Sequence, residues 1–258
     1  MLSVENLTGG YGSKEVVNNI TFSIQEGEVL CILGPNGCGK STLLKLLLRF
    51  MPKKSGQILM HGSNIEKLNR KVMARMISYI PQSDYMPFPY TILEMVTMGR
   101  SCYLGKWKNP TKEDVRIAYD SLEKLRIQHL SEKLYTQISG GERQLVLIAR
   151  ALCQDTKIII MDEPTASLDF FNQQLIMDAI STAVQEKKSV VLTTHSPSQP
   201  FTIATKALLL SQGSTVGFGD PLRVLTSESL EHVYGIPMDI VTIKDRNFTS
   251  RNICLPVH

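Results

Sequence analysis

The chain has 258 residues, of which 43% are hydrophobic and 20% are charged, a balance typical of a folded protein that excludes a disordered one. Its formal charge of +4 is mild, and its lysines and arginines form no cluster interleaved with aromatic residues, so a nucleic-acid-binding surface is not indicated. The five cysteines form no C-x-x-C pair, which argues against a disulfide framework or a zinc site and fits a reducing compartment.

The longest apolar runs fall far short of the roughly 18 residues that a membrane-spanning helix needs. The first ten residues, MLSVENLTGG, lack the basic stretch followed by an apolar one that an export signal requires. We therefore expect a protein that stays in the cytosol and does not itself cross a membrane.

The first part of the chain alternates strand patterns with turns. Strands are predicted at residues 2–7 (LSVENL), 18–24 (NNITFSI), 29–33 (VLCIL) and 55–62 (SGQILMHG), and a helix at residues 42–51 (TLLKLLLRFM) that ends before Pro52. From residue 84 to residue 155 the pattern is mainly helical. Strands are then predicted at residues 157–163, 189–195 and 207–213, with a helix at residues 173–188, as in a parallel α/β sheet.

This pattern predicts a single α/β domain over residues 1–258. Residues 1–83 and 155–214 would form an α/β core with an antiparallel β subdomain. Residues 84–154 would form an inserted α-helical subdomain, and residues 215–258 a small C-terminal tail.

Residues 34–41, GPNGCGKS, match the phosphate-loop pattern G-x-x-x-x-G-K-[ST] between a predicted strand and a predicted helix. Glycines let backbone N–H groups curl around phosphates, Lys40 would reach the β- and γ-phosphates, and Ser41 would offer its hydroxyl to Mg²⁺. The positive end of the helix dipole adds to this attraction. We interpret Cys38, inside the loop, as a tolerated small residue.

Two carboxylates follow the apolar run at residues 158–161 (IIIM). Asp162 would lie at the carboxyl end of a buried strand, where α/β sheets bind ligands, and is the expected partner of Mg²⁺. Glu163, next along the chain, would polarise the attacking water. An apolar run ending in two acids is common on its own, and the phosphate loop makes the catalytic interpretation the better one.

Residues 111–114, TKED, superficially fit the [NT]-K-x-D pattern of guanine-binding proteins. They follow GKWKNP instead of a buried strand, and Thr111 with Asp114 suits a helix cap, so we reject guanine specificity. Tyr11, with Val16 as an apolar neighbour, is the candidate for stacking on adenine. The alternative is that Tyr11 is an ordinary aromatic residue of a turn.

Residues 139–142, SGGE, precede an apolar helical pattern and fit a capping box, in which Ser139 and Glu142 satisfy each other's backbone N–H groups. A cap alone gives no reason for Gly140 and Gly141, because two glycines weaken a first turn. Glycines also let another molecule approach the backbone closely. The segment therefore raises two interpretations, a helix cap and a second anion site.

The motifs occur in an order that closely resembles the ATP-binding subunits of ABC transporters, over nearly the whole chain. They are GPNGCGKST (34–42), Gln82 in YIPQS, ISGGERQ (138–144), IIIMDEP (158–164), SLD (Ser167 to Asp169) and His195 in VVLTTHS. The resemblance implies a P-loop NTPase fold, ATPase activity, and ATP with Mg²⁺ as cofactors.

The resemblance also implies a homodimer in which the ISGGE segment of one copy caps the γ-phosphate held by the phosphate loop of the other. Carried over by position, Gln82 senses Mg²⁺ and water and links to the membrane subunit, Asp169 lies at the dimer interface, and His195 contacts the γ-phosphate. The nucleotide-contacting positions are Tyr11, Val16, Gly34, Pro35, Asn36, Gly37, Cys38, Gly39, Lys40, Ser41, Thr42, Ser139, Gly140, Gly141 and Glu142. The metal positions are Ser41, Gln82 and Asp162, and the catalytic ones are Glu163, His195 and Gln82.

Three departures from the family pattern are visible. Isoleucine precedes the signature serine where leucine is more frequent, and glutamate replaces the usual terminal glutamine of the motif, both of which look tolerable. Residues 196–199, SPSQ, follow His195 where the family usually has an acidic residue, which puts only local packing there in doubt.

The finer resemblance is to importers of metal chelates, namely iron siderophores, haem, cobalamin and, in some members, oxyanions such as molybdate. It rests on residues 89–100 (PYTILEMVTMGR) and 219–237. It implies integral-membrane permease partners, indirect coupling to a substrate-binding protein, and a place at the cytoplasmic face of a prokaryotic inner membrane. The alternative function is a soluble ABC-type ATPase without a permease, used in cofactor assembly.

Overall fold

A computed structural model describes residues 1–82, 88–105, 107–166, 168–244 and 250–257. Across these residues the strands are β1 (Leu2–Tyr11), β2 (Lys14–Ile24), β3 (Val29–Leu33), β4 (Lys53–Met60), β5 (Ser63–Asn64), β6 (Ile77–Ile80), β7 (Ile158–Met161), β8 (Ser189–Thr194), β9 (Lys206–Ser211), β10 (Ser214–Gly219), β11 (Met238–Lys244) and β12 (Ser250–Pro256). The helices are α1 (Lys40–Leu47), α2 (Arg70–Met76), α3 (Ile92–Thr97), α4 (Lys112–Lys124), α5 (Gly140–Cys153), α6 (Phe170–Gln185), α7 (Pro200–Ile203), α8 (Pro221–Val224) and α9 (Ser227–Tyr234).

The chain divides into two compact units, residues 1–67 with 191–258, and residues 68–190. In the first unit β2, β1, β4 and β5 form an antiparallel sheet in that order. Strand β3 pairs in parallel with β9, and β10 pairs antiparallel with β9. Every residue of β3 is buried, as expected for a strand covered on both faces. Strands β11 and β12 pair antiparallel in a separate two-stranded sheet.

The second unit combines helices with a parallel pair of strands, β6 and β7. The apolar face of α5 is buried, including Leu145, Ile148 and Ala149, as its helical spacing predicts. Arg100 ties two of the helices to each other. Its Nε donates to Asp114 Oδ1 of α4 at 3.0 Å, and its Nη1 donates to the carbonyl oxygen of Cys153 at the end of α5 at 3.1 Å.

Helix α1 ends earlier than predicted, and helix α4 begins at its predicted cap. Helix α1 ends at Leu47, earlier than predicted, because Arg49 adopts a positive φ of 55° and the N–H of Phe50 donates to the carbonyl of Lys45 at 2.9 Å, which closes the helix in a Schellman motif. The cap predicted for residues 111–114 is confirmed, since Thr111 Oγ1 accepts from the N–H of Asp114 at 3.2 Å. Helix α2 and strand β6 are among the elements that the sequence pattern did not predict.

Among the described residues, no helix is both long enough and apolar enough to span a bilayer.

Candidate active site

The phosphate-loop segment lies in the first unit, between β3 and α1, as predicted. Gly34 has a φ of 151°, and a β-carbon there would collide with the carbonyl oxygen of Leu210. Gly39 has a φ of 109°, and a β-carbon there would lie 2.9 Å from the carbonyl oxygen of Val16. Both positions therefore require glycine for the loop to close against its own chain.

The start of α1 is suited to an anion. Gly39 is its N-cap and offers no side-chain hydrogen bond to the first turn, where backbone N–H groups and the helix dipole attract negative charge. Lys40 is only 6% exposed, and its Nζ donates to the carbonyls of Gly34 at 2.7 Å and Pro35 at 3.2 Å. The ammonium is thus held inside the loop, while Ser41 is exposed.

The remaining loop residues differ in exposure. Asn36 and Gly37 are exposed, Pro35 is half-buried, and Cys38 and Thr42 are buried. Burial raises the pKa of the Cys38 thiol, which keeps it protonated and unreactive at neutral pH. A buried, neutral thiol agrees with the interpretation of Cys38 as a small packing residue.

Tyr11 and Val16 lie beside this loop, in the same unit. The backbone of Val16 borders Gly39, since its carbonyl oxygen would lie 2.9 Å from a β-carbon at Gly39. Tyr11 ends β1 with its side chain 52% exposed, and its hydroxyl accepts a hydrogen bond from Lys45 Nζ of α1 at 3.1 Å. Hydrogen bonds from Lys45 and Thr42 lower the pKa of Tyr11. The contact with Lys45 was not predicted from the sequence.

The acidic pair lies in the second unit, directly after the buried strand β7. Asp162 is 8% exposed, and its backbone N–H donates to the carbonyl of Ile80 at 2.9 Å. Burial and the nearby charge of Asp162 raise the pKa of Tyr79 to about 12. The charge of the Asp162 carboxylate therefore acts on Tyr79, which lies on the neighbouring strand β6.

Glu163 and Gln82 meet although they are far apart in sequence. Nε2 of Gln82 donates to Oε2 of Glu163 at 3.0 Å. Glu163 also has a φ of 47°, the left-handed region that side chains other than glycine rarely adopt. This left-handed residue lies just beyond Met161, the last residue of β7, so the alternation of side chains along the strand does not extend to Glu163.

Residues 138–142 (ISGGE), called the signature segment below, also lie in the second unit. They form the predicted capping box at the start of α5. Ser139 Oγ accepts from the N–H of Glu142 at 3.3 Å, and Glu142 Oε2 accepts from the N–H of Ser139 at 2.8 Å and from its hydroxyl at 2.7 Å. These hydrogen bonds, from the side chain and then the backbone of Ser139, lower the pKa of Glu142.

The two glycines of this segment have different surroundings. A β-carbon at Gly141 would lie 2.6 Å from Nδ2 of Asn172, which itself donates to Asp169 Oδ2 at 3.0 Å. A β-carbon at Gly140 would meet nothing within 4 Å, and Gly140 is not among the residues with positive φ. The chain itself therefore explains Gly141 and does not explain Gly140.

Two further predicted positions lie at the ends of regular elements. Asp169 is the N-cap of α6 and accepts from the N–H of Asn172 at 2.8 Å. His195 is exposed and directly follows β8. Ser167, which belongs to the predicted SLD motif, lies outside the described residues.

A phosphate loop between a strand and a helix, with a carboxylate at the end of a second buried strand, defines the class of P-loop nucleoside triphosphatases. The family model described as ABC transporter matches residues 17–166. The chain belongs to this family, and it is an ABC-type, nucleotide-binding ATPase with the α/β fold predicted from its sequence.

Individual relatives agree with this assignment. An uncharacterised ABC transporter ATP-binding protein of Haemophilus influenzae is 40% identical, over 91% of this chain and 89% of its own length. The molybdate import ATP-binding protein MolC of the same organism is 38% identical, over 92% and 89%.

Solved structures are similar over nearly the full length. An inward-facing ABC transporter described as being of the metal-chelate type has a TM-score of 0.89 and 35% identity, and the match covers 100% of this chain and 97% of that one. A dimeric bacterial ABC transporter cassette has a TM-score of 0.76 and 27% identity, with coverage of 86% and 99%.

Proposed function

We propose that the chain is the ATP-hydrolysing subunit of an importer that takes up a metal chelate or a metal oxyanion through a membrane permease. The similarity to MolC and to a metal-chelate type transporter over nearly the whole chain supports this substrate class. The observation that carries the enzymatic part is the contact between Gln82 and Glu163 beside the buried Asp162, because it orients a carboxylate that can act as a base.

In this proposal the phosphate loop, residues 34–42, binds the triphosphate through its backbone N–H groups. Lys40 neutralises charge on the β- and γ-phosphates, as expected of a buried ammonium held inside the loop. Tyr11 stacks on the adenine, and Val16 supplies an apolar neighbour. ATP is the expected nucleotide because the TKED segment forms a helix cap and has no guanine-reading context.

The oxygen donors of the phosphate loop, of Asp162 and of Gln82 suit an Mg²⁺ ion that binds together with a nucleotide. We propose the hydroxyl of Ser41, the carboxylate of Asp162 and the amide of Gln82 as its protein partners. Among the described residues no three His, Cys, Asp or Glu side chains form a metal cluster. A few oxygen donors fit Mg²⁺, which takes one or two carboxylates and completes its shell with phosphates and water. Bound there, it would neutralise charge on the phosphate oxygens.

In hydrolysis, the Glu163 carboxylate would accept a proton from the attacking water while the water oxygen bonds to the γ-phosphorus. The bond from that phosphorus to the bridging oxygen breaks, and ADP and phosphate leave. Gln82 keeps Glu163 oriented through its amide, and His195 contacts the γ-phosphate. Catalysis of phosphoryl transfer is mainly positioning and charge stabilisation, so these residues have separable effects.

We propose that two copies assemble head to tail around two nucleotides. Gly140 supports this assembly, since its open surroundings leave room for a molecule outside the chain. Ser139, Gly140, Gly141 and Glu142 of one copy would then face the γ-phosphate held by the other, with Asp169 at the interface. The dimeric cassette among the similar structures supports a pairing of this kind.

The membrane context follows from the same proposal. The dimer would dock on a permease at the cytoplasmic face of a prokaryotic inner membrane, and a substrate-binding protein would deliver the cargo to that permease. Within the chain we propose residues 1–83 with 155–214 as the nucleotide-binding core, residues 84–154 as the helical part that carries the signature, and residues 215–258 as a C-terminal appendage.

The catalytic assignment is tested with Glu163→Gln, with the exposed Glu26→Gln as the control. Loss of a general base lowers the rate by about 10²- to 10⁴-fold. We expect Glu163→Gln to bind ATP normally, to lose turnover and to accumulate a dimer on size-exclusion chromatography with ATP. Near-normal hydrolysis in this variant would remove Glu163 from the mechanism.

The transport assignment needs a separate experiment. The chain is co-expressed with any permease encoded beside it, and ATPase activity is measured with a ferric siderophore, haem, cobalamin or molybdate and a binding protein encoded nearby. Co-purification and stimulation by one cargo class are expected. Full ATPase activity with no permease bound or encoded nearby would favour a soluble ATPase of cofactor assembly.

A further inference from the structure

Tyr11 is held by a residue that belongs to none of the motifs. Lys45 lies on the exposed side of α1, five residues beyond Lys40, and its Nζ donates to the Tyr11 hydroxyl at 3.1 Å. The two residues come from different elements, since Tyr11 ends β1. The contact therefore links the helix that begins at the phosphate loop to the aromatic side chain beside it.

The position of the ammonium relative to the ring decides what the contact can do. Nζ of Lys45 lies 5.7 Å from the centroid of the Tyr11 ring and 3.1 Å from its hydroxyl oxygen. The first distance exceeds the second by nearly the whole length from the centroid to the hydroxyl oxygen within a tyrosine side chain. Nζ must then lie close to the line from the centroid through the oxygen, near the ring plane. A cation–π contact would place it over a ring face. Lys45 thus contacts the ring at its hydroxyl end and does not itself cover a ring face.

The electrostatics of Tyr11 agree with this contact. The hydrogen bond from Lys45 is the largest cause that lowers the pKa of Tyr11. Tyr11 is 52% exposed, so part of the ring that Lys45 holds at its hydroxyl is open to a flat partner.

We propose that Lys45 is a positioning residue for the nucleotide base, which holds the Tyr11 ring in the orientation that stacks on adenine and so raises the affinity for ATP without contacting the nucleotide. This inference rests on the proposed role of Tyr11. It predicts that the effect of Lys45 passes entirely through the Tyr11 hydroxyl and concerns the base and not the phosphates.

The test compares Lys45→Met, Lys45→Arg, Tyr11→Phe, Tyr11→Ala and the double variant Lys45→Met/Tyr11→Phe in the full chain. KM and kcat are measured for MgATP, and the inhibition constant is measured for tripolyphosphate, which has phosphates and no base. The exposed Lys112→Met is the matched control for loss of a lysine charge. Melting temperatures show that each variant is folded.

We expect Lys45→Met to raise KM for ATP by about three- to tenfold, the loss typical of one hydrogen bond, with kcat and the tripolyphosphate constant unchanged. Lys45→Arg should restore most of the affinity. Tyr11→Phe should match Lys45→Met, and the double variant should be no worse than either, because coupled residues are not additive.

Two results would overturn the inference. A parallel rise in the tripolyphosphate constant would mean that Lys45 acts on the phosphates, and an added loss in the double variant would mean that it acts without the hydroxyl. Tyr11→Ala distinguishes a failure of the stacking role of Tyr11 from a failure of the positioning role of Lys45. If it leaves KM unchanged, the stacking role of Tyr11 fails as well; if it raises KM while Lys45→Met does not, only the role of Lys45 fails.

Discussion

The chain contains two glycine-rich helix starts that look alike in sequence and are built differently. In the phosphate loop, Gly34 and Gly39 have positive φ and are pressed against the backbone of their own chain. In the signature segment, Gly140 has no positive φ, and a β-carbon there would meet nothing within 4 Å. The first loop is thus shaped by internal contacts, while the second keeps an unoccupied approach to its backbone.

The two helix starts also differ in how their first turns are satisfied. Helix α1 has a glycine N-cap with no side-chain hydrogen bond, and Lys40 brings a positive charge into the loop. Helix α5 has a complete capping box, which places the carboxylate of Glu142 at its first turn. An isolated phosphate would be drawn to the first start and repelled by the charge at the second. The start of α5 is therefore better suited to a nucleotide whose phosphate charge is already neutralised by other groups.

Among the substitutions that test the contrast between the starts of α1 and α5, Lys40→Ala is expected to have the largest effect on ATP hydrolysis. Removing the buried ammonium takes away a charge-assisted contact with the phosphates in both the ground state and the transition state, so kcat/KM should fall by about 10³-fold. Steady-state ATPase assays and equilibrium nucleotide binding measure it, with Lys112→Ala as the control. Unchanged ATP affinity would exclude Lys40 from the site.

Next in size is Ser139→Ala, which separates a cap from a nucleotide contact. Loss of the cap should lower the free energy of unfolding by about 1 kcal/mol. If Ser139 also faces the nucleotide of a partner copy, the rate per folded molecule should fall by roughly 100-fold. Thr111→Ala removes the equivalent cap of α4 and serves as the control, with a similar loss of stability and no loss of rate. Equal rates in both variants would leave Ser139 as a cap alone.

A smaller effect on rate, without loss of stability, is expected for Gly140→Ala. Replacing a glycine in an ordinary conformation stabilises a fold by about 0.4–1 kcal/mol, so the melting temperature should hold or rise. The added methyl group would displace a partner nucleotide and slow hydrolysis by about tenfold or more. Gly141→Ala is the matched comparison and should instead lower stability, because Asn172 must move. A fully active Gly140→Ala enzyme would contradict the dimer proposal.

The smallest effect concerns the pH dependence of the cap. The pKa of Glu142 is lowered in the folded chain, so its stabilising contribution is present above the ordinary glutamate pKa of about 4.3 and is lost as pH falls below it. In Glu142→Gln the loss of stability on acidification should therefore be shallower. Urea unfolding at several pH values between about 7 and 3 measures this, with the exposed Glu132→Gln as the control.

Local motifs were the most predictable part of the chain. The phosphate loop, the caps at Thr111 and Ser139, and the buried strand before Asp162 depend on residues a few positions apart. Helix α2 was missed because it buries only Met73, which leaves no apolar periodicity to detect. Strand β6 was missed because one of its four residues is the buried, polar Ser78.

Contacts between distant residues lay beyond the sequence. The pairing of Gln82 with Glu163, of Tyr11 with Lys45 and of Gly141 with Asn172 depends on how whole elements pack. Each of these contacts changes the meaning of a motif residue. The carboxylate of Glu163 is held by a hydrogen bond, the exposed Tyr11 is held at its hydroxyl, and Gly141 has an explanation within the chain.

The left-handed backbone at Glu163 has a consequence for how this protein would respond to selection. Holding a glutamate there costs of the order of 1–3 kcal/mol, whereas glycine or asparagine would relax much of that cost. Under the proposed catalytic role of Glu163, laboratory evolution for heat resistance alone would therefore favour replacements that stabilise the fold and abolish ATP hydrolysis. Only a screen that also demands turnover would retain the carboxylate, which makes this position a point where durability and activity compete.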